Sequence, residues 1–206
     1  MGINVSKSVS NVTSKIINEL EQSTGANATT NCSVSTGNIT LRNANRCNVT
    51  NENRCSANAS AALDAISKAA ANAWADASTQ QKTAILPGIN VNDTTQNVAS
   101  IIRSRLNQQC QAGSSLTQSI ATGDLTLDGC IDSNIVNINA GSVEANCGIK
   151  TIMNAIVEAD AKQQSGQVTG DLFGSLFGGI GRNSIISFIV CIILIIIIAV
   201  FYFMRK

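Results

Sequence analysis

Histidine is absent from this chain of 206 residues. That absence removes the usual general base, the Ser-His and Cys-His nucleophile pairs and the commonest metal ligand. Enzymatic catalysis and a metal centre are therefore poor expectations, and no residue is assigned a catalytic or metal-binding role. Charge is scarce too: 13% of residues are charged and the net charge is +1. Without a basic block, neither nucleic acid nor an anionic membrane patch is an expected partner. Aromatics make up only 3%, so a core must be built from small and aliphatic side chains. No apolar run of 7–15 residues stands near the start, so a cleaved secretory signal is not expected.

What the chain does have is one long apolar run at its far end. Ile185 to Met204 reads IISFIVCIILIIIIAVFYFM, without a charge, a proline or a glycine. As a helix rising 1.5 Å per residue it reaches about 30 Å, the thickness of a bilayer's hydrocarbon core. Arg182 stands before it and Arg205-Lys206 after it, and Phe201, Tyr202 and Phe203 occupy the place of an interfacial aromatic belt. The run reads as a transmembrane helix. The expected organisation is a domain over 1–164, a Gly-rich juxtamembrane tether over 165–183, the membrane helix over 184–204 and a short basic tail at 205–206. The basic pair after the span favours a C-terminus on the inner side.

The chain begins Met1-Gly2-Ile3-Asn4-Val5-Ser6, which fits the N-myristoylation pattern and makes Gly2 the expected lipid attachment site. A covalent myristate is then the expected prosthetic group, and no dissociable cofactor is expected. Val5, Val9, Val12, Ile16 and Leu20 recur at helical spacing and predict a helix over 4–21, packed on the core rather than lying on a membrane.

Seven cysteines occur, and Cys191 lies inside the apolar run. The other six are Cys32, Cys47, Cys55, Cys110, Cys130 and Cys147. No Cys-x-x-Cys pair is among them, so zinc is not indicated and three disulfides are, with fifteen connectivities open from spacing alone.

Between the cysteines, Gly37–Leu41 and Asn48–Thr50 alternate apolar and polar residues around an Asn-rich turn and read as a local strand pair. Leu125–Leu127 and Ile135–Ile138 read as a second. Ala-rich residues 56–77 predict a helix with Leu63, Ile66, Ala70, Ala73 and Trp74 on one face. Pro87-Gly88 breaks the chain. Asp93 is the expected N-cap of a third helix, with Gln96 completing a capping box and Val98, Ile102 and Leu106 inward. A last helix is expected over 143–162, with Ile149, Ile152, Met153 and Ile156 on its apolar face. The fold class is α+β, mostly helical, with two small two-stranded pieces stapled by disulfides.

Eight Asn-x-Ser/Thr triplets start at Asn4, Asn11, Asn27, Asn31, Asn38, Asn48, Asn58 and Asn92. Glycosylation requires the ER lumen, whereas acylation of Gly2 happens in the cytosol, where thiols normally stay reduced. Lipidation and disulfides on one domain require an unusual oxidising route.

That combination, carried by Met1-Gly2, by CSVSTGNITLRNANRCNVTNENRC from Cys32 to Cys55, by LDAI at 63–66 and by NAGSVEANCGIKTI at 139–152, resembles one family. These are the myristoylated, disulfide-bonded virion membrane proteins of poxviruses and other large nucleocytoplasmic DNA viruses, components of the entry-fusion complex. The resemblance covers essentially the whole chain and all six cysteines in order. It implies a helical bundle packed against two small sheets, displayed on the virion membrane, with pairs Cys32–Cys55, Cys47–Cys130 and Cys110–Cys147. It also implies a viral cytoplasmic thiol-oxidation system, which reconciles an acylated Gly2 with disulfides and leaves the glycosylation triplets idle.

Two departures stand out. The last inter-cysteine spacing is shorter than in poxvirus members, which touches the surface before Cys147. Only Arg205 and Lys206 follow the apolar run, so a tail that grips a capsid is not expected.

The expected function is a non-enzymatic role in host-cell entry and membrane fusion. Its expected partners are the lipid bilayer and other viral membrane or entry-fusion proteins. The alternatives are a structural membrane protein linking the internal lipid layer to capsid proteins during virion assembly, and an N-glycosylated surface adhesin. The expected intact mass of protein from native particles is that of a chain lacking Met1 and carrying one myristoyl group, three disulfides and no sugar. Mass spectrometry before and after reduction checks it, and a heterogeneous mass that collapses on glycan removal would show the secretory route instead.

Overall fold

The structure is a computed structural model, and it describes residues 3–24, 34–55, 58–77, 82, 89–111 and 113–164. Gly2, Cys32, the tether and the apolar run from Ile185 to Met204 lie outside the described residues. Among the described residues no helix is long and apolar enough to cross a membrane.

Among the described residues five helices and four short strands follow in the order α1 (Ile3–Thr24), β1 (Ile39–Arg42), β2 (Asn48–Asn53), α2 (Ala59–Ala75), α3 (Thr95–Gln109), α4 (Ser115–Thr122), β3 (Leu125–Asp128), β4 (Asn134–Asn139) and α5 (Val143–Gln164). The fold is α+β, as the residue pattern predicts. Helix α1 buries Val9, Val12, Ile16 and Leu20 against α2, α5 and β4, so its apolar stripe faces the core. The Ala-rich α2 allows helices to approach closely on several sides. The α2–α5 crossing is tight at Gly148, where a Cβ would stand 2.7 Å from Leu63 Cδ2.

Local turn chemistry sets the helix starts. The Asn58 side chain caps α2 by accepting from the Ser60 N–H. Helix α3 starts later than the expected Asp93 cap: Thr94 is extended and its side chain accepts from the Asn97 N–H, while Asp93 lies in a turn with its N–H on the Asn90 carbonyl. Helix α4 was not expected from the sequence. Only Thr117 and Ala121 of it are buried, too few for a visible apolar stripe.

The strands pair differently from the expected local hairpins. β1 pairs with β3 and β2 with β4, both in parallel. Each strand thus lies beside one from the other half of the chain, joined by a long helical crossover of the kind parallel pairing requires. The register is constant. Ile39 faces Leu125, an isolated bridge joins Asn45 to Ile131, and Asn53 faces Asn139, a separation of 86 residues throughout. Residues 39–53 and 125–139 therefore form one ribbon with a double bend. At the bends the left-handed backbone positions also match in pairs, Asn43 (φ 50°) with Gly129 (φ 70°) and Arg46 (φ 54°) with Asp132 (φ 47°).

The constant separation has its origin in the sequence. Laying residues 1–78 on 87–164 without a gap gives 25 identities, far above what an Asn-, Ser- and Ala-rich composition yields by chance. MGINV at 1–5 stands on PGINV at 87–91, and TGNITL at 36–41 on TGDLTL at 122–127. The core positions Val12, Ile16 and Leu20 of α1 match Val98, Ile102 and Leu106 of α3, all six buried. The domain is an internal repeat whose two units join through their equivalent strands.

Gly37 and Gly123 are equivalent residues at the closest approach of the two units. A Cβ at Gly37 would lie 2.1 Å from the Gly123 carbonyl oxygen and 2.4 Å from that of Thr122, and backbone cannot step aside. Gly37→Ala is expected to cost roughly 2–4 kcal/mol in a denaturant titration. Gly123→Ala, whose nearest contact is 3.0 Å, is expected to cost clearly less.

Candidate functional site: the disulfide-stapled ribbon

The ribbon contains most of one stretch that carries the resemblance, Cys32 to Cys55, while LDAI lies in α2 and most of 139–152 in α5. Its strands set polar residues opposite one another. Asn48, Asn51 and Asn53 face Asn134, Asn137 and Asn139 across the strand pair. The Asn137 Nδ2 donates to the Asn51 Oδ1 at 3.1 Å and to the Gly37 carbonyl at 2.9 Å. Asn139 donates to the Val34 carbonyl and accepts from the Asn146 Nδ2 at 3.1 Å and the Gly141 N–H at 3.0 Å. Of the in-register pairs, Asn51 and Asn137 are joined amide to amide, while the buried Asn137 and Asn139 also satisfy the backbone of residues 34–37 and the start of α5.

Two disulfides close this frame. Cys47 joins Cys130 across the double bend, with Cα atoms 6.2 Å apart, and Cys110 joins Cys147, tying the end of α3 to α5 with Cα atoms 5.7 Å apart. Both are pairs that the resemblance implies. Cys55 is buried and also disulfide-bonded, while Cys32 is outside the described residues. Beside the first bridge, Arg46 donates to Asp132 at 2.7 Å and Asn43 to Asp128 at 2.7 Å. Such exposed contacts set the geometry of the bend more than its stability.

Among the described residues no cluster of His, Cys, Asp and Glu could hold a metal. A groove of about 440 Å³ between α1 and the end of α2 is lined by Lys15, Asn18, Glu19, Asn72 and Asp76, and Lys15 is paired with Asp76. A second groove of about 370 Å³ lies beside β2 and is lined by Val34, Ser35, Thr36, Asn51, Glu52 and Asn53 among others. Both hold amides, hydroxyls and paired charges.

One titratable group is buried beside the ribbon. Lys150 of α5 is 3% exposed and its Nζ donates to the Gly37 carbonyl at 3.3 Å. Burial pushes its pKa below the ordinary value, and the nearby Asp124 only partly offsets this. Nothing in the residue pattern marks it, because a lysine in a helix normally reads as solvated.

Residues 2–203 match the model of a family described as lipid membrane protein of large eukaryotic DNA viruses. The chain belongs to this family. Similar relatives include the entry-fusion complex associated protein OPG095 of fowlpox virus, 27% identical over 165 residues, covering 75% of this chain and 68% of the relative. The proteins of the same name in monkeypox virus and in vaccinia virus (strain Western Reserve) are 26% identical over 165 residues, covering 75% of this chain and 66% of each relative. The chain thus matches about two thirds of the length of these relatives.

The Lys150 site yields a pH prediction. The folded pKa lies below 10.5, so the unfolded chain binds the extra proton in the window between the two values, and stability rises with pH across that window. As pH falls through the lowered folded value that contribution is lost. Chemical denaturation of wild type and Lys150→Met at several pH values checks this: the wild type is expected to gain stability as pH approaches 10.5, and the variant to show a flatter profile.

Proposed function

We propose that this protein is a non-enzymatic virion membrane protein that acts in host-cell entry and membrane fusion as a member of an entry-fusion complex. The observation that carries the reading is membership of the viral lipid membrane protein family over residues 2–203, together with relatives named as entry-fusion complex associated proteins. The physical character of the described domain supports it. The domain presents Asn- and Thr-rich surface, few charges and no nucleophile–base pair, which suits contacts with other proteins.

Two attachments to the bilayer belong to the same reading. The run from Ile185 to Met204 is the spanning helix, and Gly2 carries a myristoyl chain. A single acyl chain holds a membrane only marginally, so on an already anchored protein its use is local. An acyl chain held against the domain and released towards a target membrane during fusion would serve that use.

Particles made without this protein separate the entry role from the capsid-linking alternative. The expected outcome is particles of normal morphology that attach to cells but fail to mix their lipids with the cell membrane, scored by release of a self-quenched dye. Malformed particles with a detached internal membrane would instead favour assembly.

A further inference from the structure

The internal repeat predicts what fits against the open edge of the ribbon. In a parallel strand pair, every second residue of each strand turns its N–H and C=O towards the partner. The Asn48 N–H donates to the Ser133 carbonyl and the Arg54 N–H to the Asn139 carbonyl. Thus Asn48, Thr50, Glu52 and Arg54 turn towards β4, and Val49, Asn51 and Asn53 turn their backbone groups outward. On β4 the residues that receive β2 are Ile135, Asn137 and Asn139, the repeat equivalents of Val49, Asn51 and Asn53. The outer edge of β2 is therefore the same edge that β4 already fills with a strand.

The two edges of the ribbon are treated differently by the rest of the fold. β4 is covered by α1, whose Ser10 Oγ donates to the outward carbonyl of Asn134 at 3.0 Å. Its residues are buried from Ile135 to Asn139, whereas Asn48, Asn51 and Asn53 of β2 are exposed. Among the described elements β2 packs closely against β4 alone. The groove of about 370 Å³ is lined by Asn51 to Asn53 of β2, by Asn137 and Asn139 of β4 and by Val34 to Thr36, and so lies over the face of the strand pair next to that edge.

Strands related by the repeat lie in parallel and in register, which is a heterologous arrangement and does not close on itself. A further strand can add where the stack is left open. A second folded copy cannot supply a parallel strand in this register, because the edge of its β2 that would be needed is already bonded to its own β4. Antiparallel pairing of two β2 outer edges is the competing outcome that the cross-linking test distinguishes.

We infer that the outer edge of β2 is a docking site for an extended segment of another viral membrane protein, which adds as a parallel strand with the Asn spacing of Asn48, Asn51 and Asn53. The inference rests on the entry-fusion reading for the identity of the partner; the edge itself rests on the repeat. The segment bonds the outward groups of Val49, Asn51 and Asn53, and its amides extend the asparagine ladder by one rung.

The test uses full-length protein in detergent micelles and a synthetic peptide with the β2 sequence, residues 48–54. Hydrogen exchange is expected to slow at least tenfold at the amides of Val49, Asn51 and Asn53 when the peptide is added. Asn53→Pro removes an outward N–H that β4 does not use and is expected to abolish that protection. Asn53→Ala keeps the N–H and loses one amide of the ladder, so it is expected to retain the protection with weaker peptide binding, which separates loss of the edge from loss of the fold. Unchanged exchange at these amides in the wild type overturns the proposal.

In particles, a photo-cross-linker at position 53 is expected to trap another viral membrane protein. An adduct only between two copies of this chain overturns the proposal. Fully infective particles carrying Asn53→Pro overturn the docking edge as well, yet leave the entry-fusion reading standing, since that depends on particles lacking the protein altogether.

Discussion

The parallel pairing of residues 39–53 with 125–139 is the constraint on which the rest of the domain depends. Parallel strands cannot be joined by a tight turn, so α2, α3 and α4 form the crossover between them. Once the ribbon is in register, α1 and α5 are placed against β4, and the start of α5 is fixed by Asn146, whose side chain accepts from the Ala140 N–H at 2.7 Å. The Cys47–Cys130 bridge spans the same two segments. By closing a loop of more than eighty residues it lowers the entropy of the unfolded chain, by about 4 to 5 kcal/mol in the simplest loop model. The ribbon and the bridge reinforce one another: each makes the register of the other cheaper to find.

The core is adapted to this plan. With 3% aromatic residues the chain fills its interior with aliphatic and small side chains. Trp74 is the one large ring at the heart of the helical layer, 2% exposed and donating through its Nε1 to the Lys82 carbonyl. Small residues let helices approach closely, as at Gly148 against Leu63, but each buries little area. Disulfides and asparagine ladders supply the remaining definition.

Much of this was legible in the sequence, and the reasons differ by element. The stripes of α1, α3 and α5 are strictly periodic, so their buried residues could be read directly. The strands were legible as strands, since Leu125 and Leu127 alternate with exposed residues. Their partners were not, because alternation reports which face is buried and says nothing about which strand lies alongside. A short polar linker such as residues 43–47 looks like a hairpin turn, but Asn43 and Arg46 are two left-handed bends in one continuing strand. Comparing the sequence with itself would have revealed the pairing. The shared TG-x-x-TL and N-x-x-N-x-N patterns mark residues that end up facing each other. Lys150 was invisible for a different reason: a lysine's burial depends on what crosses over its helix, here the Gly37 backbone.

The separation between Cys47 and Cys130 also has a consequence in time. Chains are made at about 5–20 residues per second, so the thiol of Cys47 leaves the ribosome roughly 4 to 17 seconds before that of Cys130. During that interval β1 and β2 have no strand to pair with. Cys55 stands nearby as the alternative thiol, only eight positions along the chain. The thiol of Cys47 must therefore stay reduced and unpaired until the second half emerges. Oxidation that came too early would trap a wrong crosslink, and the order of events in the cell, as much as the final geometry, decides whether this ribbon forms.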